Sequence, residues 1–126
     1  MHSIEMVADG LYFPEGPRWR PDEGKLYFSD VMAGKVSRLD ENGVVETVFE
    51  PGEFPSGLGF LDNGDMLVVA TESHEIVKVK RDVRLKGGAS RLDSVRHADI
   101  STPYGTGNND MVVAQNGNAY AGAYIA

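Results

Sequence analysis

The chain is predicted to be all-β, in the form of an incomplete β-propeller of about two and a half blades. Three observations predict it. Apolar residues come in short runs separated by turn residues, the pattern of many short strands. No window carries apolar residues at helical spacing for three turns. A strand, glycine turn, strand unit recurs along the chain, and a period near 40 residues with about four strands per unit describes a propeller blade.

Taken in order, the expected strands are Ile4 to Val7, Lys25 to Asp30, Val36 to Leu39, Val44 to Phe49, Met66 to Ala70, Ile76 to Lys80, Asp110 to Val113 and Ala119 to Tyr124. In Ile76-Val77-Lys78-Val79-Lys80 apolar and basic residues alternate after Ile76, as on a strand with one wet face. Asn42-Gly43, Asn63-Gly64 and Asn116-Gly117 are expected to make tight type I′ hairpins, which need positive φ at both central residues. Ala33-Gly34 and Glu23-Gly24 do similar work less specifically.

The repeat is visible residue by residue. Phe13-Pro14-Glu15-Gly16-Pro17-Arg18-Trp19 leads through Gly24 to Lys25-Leu26-Tyr27-Phe28. Phe54-Pro55-Ser56-Gly57-Leu58-Gly59-Phe60 leads through Gly64 to Asp65-Met66-Leu67-Val68. Asn108-Asn109-Asp110-Met111-Val112-Val113 leads through Gly117 to Asn118-Ala119-Tyr120-Ala121. Pro14 and Pro55 lie 41 positions apart, as do Trp19 and Phe60. Gly64 and Gly117 lie 53 apart, so the second unit carries extra loop, placed at Lys86-Gly87-Gly88-Ala89-Ser90. A β-sandwich shares the short strands and glycine turns but has no reason to repeat Phe-Pro-x-Gly. The expected blades are 13–53, 54–105 and a partial 106–126. Propellers close with about 4–8 blades, so the chain is expected to be the N-terminal part of a longer protein, and self-association through the open edge is an alternative.

Composition narrows the partners. The chain has 126 residues, 41% hydrophobic and 25% charged, the balance of one soluble globular domain. A formal net charge of −7 argues against nucleic acid and against anionic membrane surfaces. With no cysteine, disulfides and thiolate metal sites are excluded. No basic start followed by an apolar stretch marks a secretory signal, and a cytoplasmic location is expected.

Repeats related by rotation put equivalent positions around one axis. Glu15, Ser56 and Asn109 are equivalent, so a propeller would turn all three toward the same end of its channel. A carboxylate, a hydroxyl and an amide offer oxygen ligands suited to calcium or magnesium. Bland readings compete. Loop glutamates are usually solvated, Asn-Asp pairs are usual turn residues, and Arg18 could hold Glu15 in a plain ion pair. Against them, Glu15 sits among Leu11-Tyr12-Phe13-Pro14 and Gly16-Pro17-Arg18-Trp19, and a carboxylate among packed apolar groups needs a partner.

At these residues the chain resembles the gluconolactonase/regucalcin-like (SMP-30-type) six-bladed propellers. Gly10 to Trp19 followed by Leu26-Tyr27-Phe28-Ser29-Asp30 looks like that family's opening signature. Pro55-Ser56-Gly57-Leu58-Gly59-Phe60 and Asn109-Asp110-Met111-Val112-Val113 are similar to the next two blade openings, and His97-Ala98-Asp99-Ile100-Ser101 fits a segment common in bacterial members. The resemblance runs from about Gly10 to the end. It implies a metal-dependent lactone hydrolase. Glu15 falls on a metal ligand, with calcium the first choice and magnesium, manganese or zinc as alternatives. Asn109 falls on a substrate contact. The other ligands and the general base belong to later blades, so no catalytic residue is expected in this segment. Gly107 stands where the family often has an arginine, which leaves the lactone open.

Other residues carry less. His2 is terminal, His74 is read as part of a solvated hairpin, and His97 as a capping or packing residue. Trp19, Tyr27, Phe28 and Phe60 read as blade core. Lys78, Lys80, Arg81 and Arg84 read as the wet face of an outer strand and its loop. Propellers serve many functions, so a non-catalytic binding or scaffold module and an inactive fragment stand beside the hydrolase.

Overall fold

The computed structural model describes residues 3–102 and 107–124, with only the backbone of Tyr124. It is mostly strand. Strands β1 (Pro14–Arg20), β2 (Lys25–Asp30), β3 (Lys35–Leu39) and β4 (Val45–Glu50) form an antiparallel sheet. A second sheet has β5 (Pro55–Phe60), β6 (Met66–Ala70), β7 (Glu75–Val79) and β9 (Ser94–Asp99) in that order. Strands β10 (Gly107–Val113) and β11 (Ala119–Tyr124) make a third, two-stranded sheet. Between β7 and β9 lie a helix α1 (Arg81–Lys86), the two-residue β8 (Ala89–Ser90) and a 3₁₀ turn at Arg91–Asp93.

The second sheet is the filling of the stack. In β6 all five side chains are buried. Met66, Val68 and Ala70 join Tyr27, Val36, Val48 and Phe49 of the first sheet in one cluster. Leu67 and Val69 pack instead with Met111 of the third sheet, beside Val113, Ala119 and Ala121. A strand apolar on both faces reads as an unbroken apolar run because successive side chains point to opposite sides. Each such aliphatic side chain contributes about 1.5–3 kcal/mol on burial.

Several expectations need correction. Ile4 to Val7 is not a strand: it pairs with no sheet edge, and Ile4, Met6 and Val7 are exposed. The Asn-Gly hairpins are not type I′. Gly43, Gly64 and Gly117 have positive φ, but Asn42, Asn63 and Asn116 do not. Each turn closes by a bond from the glycine N–H to the carbonyl three residues back, as from Gly64 to Leu61 at 2.8 Å. That is a type I turn followed by a left-handed glycine, a longer loop that needs positive φ once. Trp19 is not core but 59% exposed. It belongs to the face of the first sheet that no other sheet covers among the described residues.

The extra length in the second unit is ordered. Asp65 caps α1 by accepting the Arg81 N–H at 2.8 Å, and β8 runs parallel to β4. Arg84, expected on a wet face, is fully buried. Its guanidinium donates to the Glu23 carboxylate, to the Tyr27 hydroxyl and, at 2.9 Å, to the Gly64 carbonyl. It also lies 5.1 Å from the Tyr27 ring centroid and 5.2 Å from that of Phe60. Arg84 therefore joins the first two sheets. Burial alone would raise the Glu23 carboxyl. Hydrogen bonds from Arg84 and Tyr27, with the Arg84 charge, outweigh it and hold Glu23 below its ordinary value of 4.5.

Candidate functional site

Strands β1, β5 and β10 each open their sheet, and each carries a bulge in its first half. The register shifts between Glu15 and Arg18, between Pro55 and Leu58, and between Asn108 and Met111. A bulge re-aims the side chains beside it. The strands also press close. A Cβ on Gly57 would stand 2.4 Å from the Met111 nitrogen, and one on Gly59 would meet the Val113 side chain at 2.5 Å. Only glycine allows β5 to pass β10 at this distance.

This convergence brings Glu15, Ser56 and Asn109 onto one cleft of about 300 Å³. Phe13, Val31, Phe54, Thr71 and Asn108 complete its lining. Buried Asp30 fixes the approach to β1 by accepting the backbone N–H groups of Tyr12 and Phe13, the latter at 2.8 Å. Val31 N–H then donates to the Phe13 carbonyl at 2.9 Å. The second unit repeats the device, with Thr71 N–H donating to the Phe54 carbonyl at 3.1 Å. Across the sheets, Ser29 Oγ donates to the Ser56 carbonyl at 2.5 Å, and Ser56 Oγ donates to Asn109 Oδ1 at 3.1 Å.

Glu15 is half-buried and makes no side-chain hydrogen bond or ion pair among the described residues. Arg18 is not its partner. It reaches instead across to β10, donating to Asp110 at 3.0 Å and to the Met111 carbonyl at 2.6 Å. A half-buried carboxylate without a partner is open to a cation. The donors fit an oxygen-preferring ion in kind, since no histidine lines the cleft. In number they fall short of the 6–8 oxygens calcium takes. Among the described residues no three His, Cys, Asp or Glu side chains gather as a metal-binding group.

His74 and Asn108 were missed. His74 is half-buried rather than solvated, holds φ at 56°, and places Nδ1 2.9 Å from Asn108 Oδ1. With the amide oxygen as acceptor, His74 carries its proton on Nδ1. The repeat offered a signal for Asn108, which aligns with Pro14 and Pro55. Nothing offered one for a turn histidine. His97 lies exposed on β9, neither a cap nor core, and His2 lies outside the described residues. A larger cavity, about 410 Å³, sits on the uncovered face of the first sheet against Trp19, Leu26 and Leu39. Ser56 and Asn109 take no part in it, so the smaller cleft is the better candidate.

The family model for the SMP-30/Gluconolactonase/LRE-like region matches residues 13–124. The chain belongs to this family. A search of curated proteins gave no match. Among solved structures, a gluconolactonase from Xanthomonas campestris aligns with a TM-score of 0.71 at 19% identity, over 93% of this chain and 37% of that one. A luciferin-regenerating enzyme aligns at 0.64 and 17%, over 90% and 38%. Virginiamycin B lyase from Staphylococcus aureus aligns at 0.64 and 14%, over 86% and 33%. The fold is thus propeller-like, and the chain spans about a third of the length of these structures. No helix among the described residues is long and apolar enough to cross a membrane.

Proposed function

We propose that the cleft is part of the site of a gluconolactonase-type lactone hydrolase, on two complete blades and part of a third in a six-bladed ring. The observation that carries this reading is the convergence of Glu15, Ser56 and Asn109 on one cleft within a stretch that matches the family. Glu15 is the metal anchor, with calcium the first choice. When bound there, a divalent cation supplies Lewis-acid polarisation of an ester carbonyl. Asn109 is the substrate contact. Because Ser56 Oγ occupies the amide oxygen of Asn109, the Nδ2 hydrogens are left to donate to a substrate oxygen. Glu15 serves to hold the cation and is not the general base. The base and the remaining ligands belong to other blades.

Calorimetric titration with calcium tests the anchor. Glu15→Gln is expected to weaken binding at least tenfold, and unchanged affinity removes Glu15 as a ligand. A pH-stat assay with simple lactones tests where the base resides. The 126-residue chain is expected to run near the uncatalysed rate. Fast, chelator-sensitive hydrolysis by this chain would overturn a base outside it.

A non-catalytic binding module is the second reading. It is favoured by the single carboxylate on the cleft, since fold alone does not decide chemistry. Lactone binding with no turnover in any assembled form would favour it.

A further inference from the structure

The cleft has an aromatic lip. Phe13 and Phe54 are 50% and 40% exposed, whereas Phe28 and Phe49 are 5% and 0%. Both exposed rings line the cleft, with Val31 beside them. They hold equivalent places in the repeat, each just before a proline. Their backbones are tied to the neighbouring strand in the same way, through Val31 and Thr71. Two rings held by the same device, one per sheet, at the mouth of one cleft are placed to meet a ligand rather than the core.

Charge narrows the ligand further. No Arg or Lys lines the cleft. The acidic groups nearby include Glu15, Asp30, which accepts the Phe13 N–H at 2.8 Å, and Glu72, whose carboxylate accepts the Phe54 N–H at 3.3 Å. With Glu15 committed to the proposed cation, an anionic substituent lying at the rings would find no cationic side chain there and would meet Glu72. We infer that the cleft takes a neutral lactone bearing an apolar substituent, which packs against Phe13 and Phe54. This rests on the lactone-hydrolase reading above and names the substrate class within it.

The test is ligand-observed NMR on the 126-residue chain with calcium present. Three probes serve: a δ-lactone with a five-carbon alkyl chain, unsubstituted δ-valerolactone, and a δ-lactone carrying a carboxylate. The alkyl lactone is expected to bind about tenfold more tightly than δ-valerolactone, the scale of apolar discrimination in such pockets. The carboxylate lactone is expected to bind more weakly than both. The double variant Phe13→Ala/Phe54→Ala should remove the alkyl preference and leave δ-valerolactone within twofold. Phe13→Leu/Phe54→Leu should retain most of it, which separates lost contact from lost folding. Equal binding of alkyl and carboxylate lactones, or an alkyl preference that survives the alanine pair, overturns the inference and leaves the hydrolase reading standing. Absence of binding by every lactone overturns the inference for this cleft, while the hydrolase reading is decided separately by the calcium titration and the pH-stat assay.

Discussion

Gly57→Ala isolates the close approach that builds the cleft. The added Cβ would stand 2.4 Å from the Met111 nitrogen, 2.7 Å from the Asp110 carbonyl carbon and 2.8 Å from the Asp110 Cα. Ordinary contact begins near 3.4 Å, so β5 and β10 must part by about 1 Å. The obstacle is backbone and has no rotamer to change. Overpacking of this kind costs about 1–3 kcal/mol, and a backbone obstacle sets it near the upper end. Ser56 and Asn109 flank the point of contact, so their 3.1 Å hydrogen bond would open past bonding distance, at about 1 kcal/mol more. The expected total is about 3–4 kcal/mol, read by urea denaturation, together with weaker calcium binding. Gly24→Ala is the control. Gly24 has φ of +65° and nothing within 4 Å of its Cβ position, so only left-handed strain of about 1–2 kcal/mol applies. A Gly57→Ala loss below that of Gly24→Ala, or unchanged calcium binding, would refute the reasoning.

Arg84→Ala should cost about 3 kcal/mol in the same assay, the lower end for breaking a buried ion pair, because Glu23 loses its buried cation but keeps the Tyr27 hydroxyl at 2.6 Å and Arg38 at 3.5 Å. A loss under 1 kcal/mol would show that Arg84 does not join them. Glu23 has a depressed folded pKa, so its unfolded form binds protons first as pH falls. Its contribution is therefore complete above its ordinary value of 4.5 and is lost as pH drops through the lower folded value. Denaturation midpoints should fall as the pH drops below the ordinary value of 4.5, and Glu23→Gln should flatten that slope; a slope unaltered by Glu23→Gln would exclude Glu23 as a source. Glu53 is held low in the same sense: burial raises it, while Ser73 and Glu72 donors and the Arg91 charge outweigh burial. It should account for part of the slope that remains in Glu23→Gln.

The strands with one clear signal were legible. Met66–Ala70 and Ala119–Tyr124 match their expected bounds residue for residue, because in each an apolar or small-residue run follows a glycine turn, at Gly64 and Gly117, that marks where the strand begins. β1 and β5 were visible as motifs rather than as strands, since Pro-Glu-Gly-Pro and Pro-Ser-Gly carry little β propensity; the bulges explain how such residues sit in a sheet. β9 was missed because Ser94-Val95-Arg96-His97-Ala98-Asp99 faces solvent on its outer side and carries no apolar alternation. The helix α1 is six residues long, too short to show a period. Arg84 looked like its basic neighbours, and its burial depends on Glu23, 61 positions away. The cleft was legible to the extent that it follows the repeat: Glu15, Ser56 and Asn109 share it because equivalent positions come round together. The Arg18–Asp110 and His74–Asn108 pairs join positions that are not equivalent, so no repeat foretells them.

Manganese broadening of assigned backbone amides locates the cation most directly. Substoichiometric Mn²⁺ should erase the Glu15, Ser56 and Asn109 signals first, and Glu15→Gln should restore them. Broadening centred on other acidic surfaces such as Asp22 or Asp40, with these three amides untouched, would contradict a cation held where the three bulged strands meet.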